Sequence, residues 1–288
     1  MQGEKHVERS EMTRVVRAAV VQLNSRQDVS ENLAACEHWV AEAAKAGAVL
    51  VALPENFALM GPEPAKLAIA ETLDAQAPGP ILGRMIELAR RHRIFLVCGG
   101  MSERTTDPTK CHNASVLLDP EGSIVSIYRK SHMFDVALPG RAMYQESQVY
   151  VPGPGPVVAS TPFGKIGFGV CYDLRFPELY RAEVARGARI IAHTAAFTAA
   201  TGRDHWHLLL RARAVENLCF VLAANQCGRH GFKYETYGHS LIVDPWGRIL
   251  ADAGDAPGMV WADLDLETQT RQREEMPCLQ HRRITTVT

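Results

Sequence analysis

The chain has 288 residues, with 31 Lys+Arg against 32 Asp+Glu and a formal net charge of −1. Its 47% hydrophobic and 22% charged residues are a globular composition, which excludes a disordered or fibrous chain. A charge balance this close to zero gives no global reason to expect nucleic acid or an anionic membrane as partner, and no apolar run reaches the ~18 residues of a membrane span.

Residues 1–14 read as a polar leader without the apolar core of a signal peptide. Residues 15–23 are a nearly continuous apolar run, the pattern of a strand buried on both faces. Ser30 reads as a helix N-cap, and Leu33, Cys36, Val40 and Ala44 recur at helical spacing up to Gly47 at C′. A second buried strand at 49–53 completes a βαβ-like unit. A helix over 81–92 and a strand over 94–98 follow. Strands over 114–118 and 124–128 then flank the turn Asp119-Pro120-Glu121-Gly122. The Pro- and Gly-rich residues 149–156 read as loop, and 165–170 as a Gly-rich strand running into Cys171. Further on, a helix over 178–186, a strand over 189–193, a helix over 204–217 and a strand over 219–224 are expected. Segments 240–243 and 248–251 pair across Asp244-Pro245-Trp246-Gly247, a strand covers 259–263, and a short polar helix covers 267–275. With no linker or internal repeat, residues 15–288 read as one α/β domain of two sheets packed face to face and covered by helices.

The seven cysteines (Cys36, Cys98, Cys111, Cys171, Cys219, Cys227 and Cys278) are odd in number, widely spread and without zinc-ribbon spacing. That pattern fits a cytoplasmic, reducing compartment with most thiols acting as small buried hydrophobes, and no metal centre.

Cys171 differs, because it ends a strand just where a helix is about to start. A thiol there meets backbone N–H groups that stabilise a thiolate or a developing oxyanion, as at a nucleophile elbow; the other reading is a buried structural cysteine. Its base could be His193, His132 or Glu55. Glu55 follows the strand at 49–53, where α/β sheets place their sites and where partial burial raises a carboxylate pKa; it could equally be a surface turn residue. Lys130 ends the strand at 124–128 and could hold an oxyanion or simply be solvated beside Arg129. Glu146 could orient Lys130 or be exposed. Arg175, four residues after Cys171, could clamp a substrate carboxylate bidentately or pair with Asp173 or Glu178. One of Arg211 and Arg213 reads as a buried ion-pair partner, and Trp206 and Trp246 as core or interface anchors.

Three segments, Leu53-Pro54-Glu55-Asn56, Tyr128-Arg129-Lys130-Ser131-His132 and Gly169-Val170-Cys171-Tyr172-Asp173-Leu174-Arg175-Phe176-Pro177-Glu178, resemble the Glu, Lys and Cys motifs of the nitrilase superfamily of carbon–nitrogen hydrolases, in that family's order. The resemblance covers nearly the whole chain. It implies a four-layer αββα sandwich, a homodimer formed through outer helices or a higher homo-oligomer, no cofactor, and a small-molecule substrate. Within the superfamily the chain is most similar to the Nit branch, which includes amidases of deaminated glutathione. Tyr172-Asp173 stands where true nitrilases tend to have Trp-Glu, which argues against nitriles, and residues 134–143 depart from the branch pattern, leaving the substrate-covering loop tuned differently. By this resemblance Glu55 is the base, Cys171 the nucleophile, Lys130 and the backbone N–H of Tyr172 the oxyanion partners, and Glu146 the group that holds Lys130 and substrate in register. Because the branch acts on anionic amides, the resemblance favours the carboxylate clamp for Arg175. The expected reaction is hydrolysis of a small anionic amide with release of ammonia. Omega-amidase action on α-ketoglutaramate or α-ketosuccinamate, N-carbamoyl amino acid hydrolysis, and a catalytically silent binding subunit are the alternatives.

Overall fold

The apolar run at the start of the domain forms strand β1 (Val15–Gln22) because its two faces enter different apolar layers: Ala18 and Val20 join one cluster, Ala19 and Val21 another. The architecture comes from a computed structural model that describes residues 15–137, 143–231 and 234–284. The leader expected at 1–14 lies outside the described residues.

After β1 the chain runs through α1 (Val29–Lys45), β2 (Leu50–Ala52), α2 (Glu63–Ala68) and α3 (Pro80–His92). Three longer strands follow, β3 (Phe95–Arg104), β4 (Cys111–Leu118) and β5 (Ile124–Arg129). A small antiparallel pair, β6 (Asp135–Ala137) and β7 (Met143–Gln145), leads to β8 (Val158–Thr161) and β9 (Gly164–Val170). Then come α4 (Pro177–Ala185), β10 (Ala188–Ala195), α5 (Ala199–Asn217) and β11 (Phe220–Asn225). The remainder is β12 (Cys227–Arg229), β13 (Glu235–Tyr237), β14 (Leu241–Val243), β15 (Ile249–Asp252), β16 (Gly258–Asp265) and α6 (Leu266–Glu275).

Two six-stranded sheets result, in the orders β16-β1-β2-β3-β4-β5 and β15-β14-β11-β10-β9-β8. Each has three parallel strands at its centre, β1–β2–β3 in one and β9–β10–β11 in the other. Val20, Ala52 and Val97 of the first sheet share a core with Phe168, Ala192 and Leu222 of the second, so the sheets pack face to face. Alternate residues Val21, Val51 and Leu96 turn outward onto Cys36, Val40, Leu82 and Met85 of α1 and α3. On the far side Leu179 and Tyr180 of α4 and Trp206 and Leu210 of α5 cover the second sheet. The layers are therefore αββα, and strands buried on both faces explain why the sequence carries continuous apolar runs instead of alternation.

Boundaries moved where local chemistry outweighs periodicity. Asp28, not Ser30, caps α1: its side chain accepts from the Glu31 N–H at 3.0 Å. The helix expected from 204 starts five residues earlier, with Gly202 in its first turn pressed against Tyr237, where a Cβ would stand 2.4 Å from that ring. Trp206 is fully buried as expected of a core anchor, whereas Trp246 is exposed. Arg213 is the buried member of its arginine pair, donating to the Leu174 carbonyl and to Glu216.

One buried carboxylate serves as the cap of α3. Glu71 accepts from the Ile81 N–H at 2.7 Å and the Leu82 N–H at 2.9 Å, filling donors that the helix leaves open. Glu71→Ala strands both donors away from water, so urea unfolding should show a loss of about 1–3 kcal/mol with an unchanged m value. A midpoint equal to wild type would show that the cap contributes nothing.

Candidate active site

The parallel strands of both sheets point their carboxyl ends toward one side, the location at which α/β sheets collect functional groups. Glu55 follows β2, Lys130 follows β5, and Cys171 follows β9. A cavity of about 340 Å³ opens there, and six of the residues singled out from the sequence line it: Glu55, Lys130, Glu146, Cys171, Tyr172 and Arg175. Its size is that of a small-molecule site.

Glu55 is almost completely buried and held from both sheets. Its Oε1 accepts from Asn113 Nδ2 of β4 at 2.7 Å, and its Oε2 from the Ala196 N–H, just past β10, at 2.8 Å. Its carbonyl accepts from Gln226 Nε2 at 3.0 Å. Close approach of β3 to this carboxylate depends on glycine: Gly100 sits at φ +66° in a bulge, and a Cβ there would stand 2.6 Å from Glu55 Cγ.

Lys130 is 1% exposed. Its Nζ donates to both oxygens of Glu146 at 2.7 Å and lies 3.5 Å from Glu55 Oε1. Glu146, in the 3-10 turn Glu146–Gln148, also accepts from the Phe134 N–H at 2.7 Å. Burial alone would strip the proton from Lys130, but the charges of Glu146 and then Glu55 hold its pKa well above the ordinary lysine value.

Cys171 opens the 3-10 turn Cys171–Arg175 at φ +48°, an unusual conformation for a non-glycine residue and the signature of a sharp strand-to-helix elbow. Burial, followed by the charge of Glu55, pushes its thiol pKa well up, while Lys130 pulls it part of the way back. At rest the site is therefore a neutral thiol beside a fixed ammonium. This environment can activate a sulfur only by moving its proton, and the carboxylate for that lies in the same cavity.

Neither histidine candidate is placed for that task. His193 is fully buried, its Nδ1 sits 2.9 Å from the Tyr180 hydroxyl, and burial pushes its pKa down to about 3. His132 turns its Nδ1 to Asp173 at 2.7 Å and stacks on Phe176 at 3.7 Å. Neither lines the cavity. Arg175 does line it, and among the described residues it pairs with neither Asp173 nor Glu178. Its Nη1 lies 3.2 Å from His205 Nδ1, and its guanidinium stands 5.4 Å from the Phe197 ring and 5.9 Å from the Tyr172 ring. Phe134, Tyr144 and Tyr234 extend this aromatic wall, with ring centroids 5.1 and 5.5 Å apart along it. Of the loop expected over the substrate at 134–143, Phe134 and Met143 line the cavity, and residues 138–142 lie outside the described residues.

Sequence reasoning missed Asn113, Ala196 and Gln226. Asn113 is the one that could have been found, since a buried amide within an apolar strand needs a partner. Ala196 acts through its backbone, which no side chain announces. Away from the cavity, His207, His239 and Asp252 bring three possible ligand atoms within 4.8 Å of one another. These atoms already hydrogen-bond, with His207 and His239 at 2.8 and 2.9 Å from Asp252.

The carbon–nitrogen hydrolase family model matches residues 17–274. Deaminated glutathione amidase of Homo sapiens is 44% identical over 92% of this chain and 81% of the human protein. The protein of the same name from Synechocystis is 42% identical over 92% of this chain and 97% of its own. Among solved structures, Saccharomyces cerevisiae Nit3, described as a member of branch 10 of the nitrilase superfamily, superposes with a TM-score of 0.86 at 32% identity, covering 95% of this chain and 98% of that one.

The raised thiol pKa has a direct readout. In Glu55→Gln, which keeps the burial but loses the proton acceptor, iodoacetamide labelling of Cys171 should rise with pH and show no plateau below the ordinary thiol value of 9.0. A plateau near neutrality would mean that Lys130 outweighs burial.

Proposed function

The chain belongs to the carbon–nitrogen hydrolase family and is a hydrolytic amidase of the nitrilase superfamily, and from that premise we propose that it cleaves deaminated glutathione. The observation that carries this reading is a single cavity presenting a thiol, a proton acceptor, a fixed ammonium and an arginine whose charge no carboxylate among the described residues neutralises. Extended likeness to two amidases named for that substrate supports it.

In this reading Cys171 Sγ attacks the amide carbonyl carbon while its proton passes to Glu55. The oxyanion that forms is stabilised by the Lys130 ammonium and the Tyr172 backbone N–H. Glu146 keeps Lys130 charged and oriented. As the C–N bond breaks, Glu55 returns the proton to the leaving nitrogen, and the acyl group stays on sulfur as a thioester. Water then attacks the thioester with Glu55 as base, releasing the acid and restoring the thiol. The scissile amide of deaminated glutathione is substituted, so the amine released is that of cysteinylglycine; ammonia leaves only where the substrate is a primary amide, as in the omega-amidase alternative. Arg175 takes the carboxylate of the acyl end, a task suited to a planar guanidinium 5.9 Å from the Tyr172 ring and 5.4 Å from the Phe197 ring.

Residues 15–288 act in this reading as one catalytic domain. The enzyme works as a homodimer, for which α5 and the β14–β15 hairpin, in contact at Val215 and Gly247, carry the exposed apolar residues Leu208, Val215, Trp246 and Leu250. Seven free cysteines suit a cytoplasmic, reducing setting.

The test is a substrate panel of deaminated glutathione, α-ketoglutaramate and an N-carbamoyl amino acid, assayed with wild type and Cys171→Ala. Preference for deaminated glutathione with release of cysteinylglycine, abolished in the variant, is expected. Preference for another member would move the substrate, and unchanged turnover in Cys171→Ala would overturn the mechanism. Lys130→Ala should lower turnover by about 10²–10³-fold. Arg175→Lys should raise KM with little change in kcat, because lysine cannot reproduce the bidentate fork; an unchanged KM would remove the clamp.

A further inference from the structure

Asp173 lies two residues past the nucleophile, yet it is absent from the cavity wall and has no exposed surface. Of the pair Tyr172-Asp173, only Tyr172 faces the substrate space, so the aspartate cannot discriminate substrates by contact. A carboxylate withdrawn from water is tolerated only when its acceptor sites are filled, and here they are filled from two directions. Oδ2 accepts from the Tyr128 hydroxyl at 2.7 Å and from the Val170 N–H at 2.9 Å. Oδ1 accepts from the His132 N–H at 3.1 Å and lies 2.7 Å from His132 Nδ1.

The donors straddle the machinery. Tyr128 and His132 stand two residues before and after Lys130, and Val170 immediately precedes Cys171. Lys130 leaves the end of β5 in one sheet, and Cys171 leaves the end of β9 in the other. A single carboxylate therefore ties the lysine segment of one sheet to the nucleophile elbow of the other. Aromatic contacts flank the tie: His132 stacks on Phe176 at 3.7 Å, and Tyr128 on Phe168 at 6.4 Å.

We propose that Asp173 is a positioning residue that sets the separation between the Lys130 ammonium and the oxyanion formed at Cys171. It touches neither substrate nor reacting atoms, and it acts through the two segments it joins. The inference rests on the reading of Lys130 as an oxyanion partner.

The experiment is a double-mutant cycle on kcat, with each preparation normalised by counting alkylated Cys171 per chain so that inactive protein does not enter the rate. Asp173→Asn keeps the shape but replaces an acceptor by a donor among donors. It should lower kcat by about 10²-fold, the scale of a misplaced catalytic group, with KM within about twofold of wild type. Tyr128→Phe, which removes one tie and keeps the ring in place, should lower kcat less. In a Lys130→Ala background both changes should cost little more, because the contact they aim has gone. Full effects retained in that background, or wild-type kcat per titrated thiol in both variants, would overturn the proposal. Normal turnover in Lys130→Ala itself would also overturn it, and would place the fault in the assignment of Lys130 rather than in the tie.

Discussion

A lysine ammonium removed from water between two carboxylates is the interaction on which the site depends. Lys130 Nζ has Glu146 at 2.7 Å and Glu55 at 3.5 Å, at a position that is 1% exposed. Removing the ammonium would leave two carboxylates facing each other uncompensated in a medium of low dielectric, where a broken ion pair is costly. The arrangement therefore holds its geometry before any substrate arrives. It also fixes the division of labour: the ammonium stays charged, the thiol stays neutral, and Glu55 in the same cavity is the acceptor assigned to the thiol proton.

Two sheets are needed to build this. A single sheet could not bring the ends of β2, β5 and β9 around one carboxylate. The face-to-face packing places β4 and the end of β10 on opposite sides of Glu55, so that Asn113 and the Ala196 N–H grip one oxygen each. Cys171 is set in the left-handed region by the elbow after β9, and Gly169 behind it admits Tyr180 and His193, where a Cβ would stand 2.5 Å from the Tyr180 hydroxyl. The buried histidine that looked like a base from the sequence thus supports the floor beneath the nucleophile. Its pKa of about 3 follows from the same burial that makes the floor firm.

Much of the fold was legible because strands buried on both faces leave long apolar runs, and each run named from the sequence became a strand. Ends were less legible. The cap at Asp28 and the early start of α5 depend on single contacts that periodicity does not register, and the short elements α2, β6, β7, β12 and β13 carry too few residues for any period. At the site, Glu55, Lys130 and Cys171 were each ambiguous alone and gained meaning from falling at strand ends in a known family order. Glu146, which lies in a polar segment, shows its part only once the fold delivers it to Lys130. Ala196 was beyond reach, because a backbone N–H has no sequence signal. The part played by Asp173 depends on the fold: the sequence pairs it with Tyr172, but only Tyr172 lines the cavity, and Asp173 is buried away from it.

The central claim is that the acyl group passes through sulfur, and partitioning tests it most directly. Two amides sharing one acyl group but carrying different amines would be hydrolysed in the presence of hydroxylamine, and the ratio of hydroxamate to acid measured for each. A common thioester on Cys171 predicts the same ratio for both, whatever amine has left. Ratios that change with the amine, or hydrolysis that proceeds without any hydroxamate, would mean that water attacks the amide directly and would contradict the account.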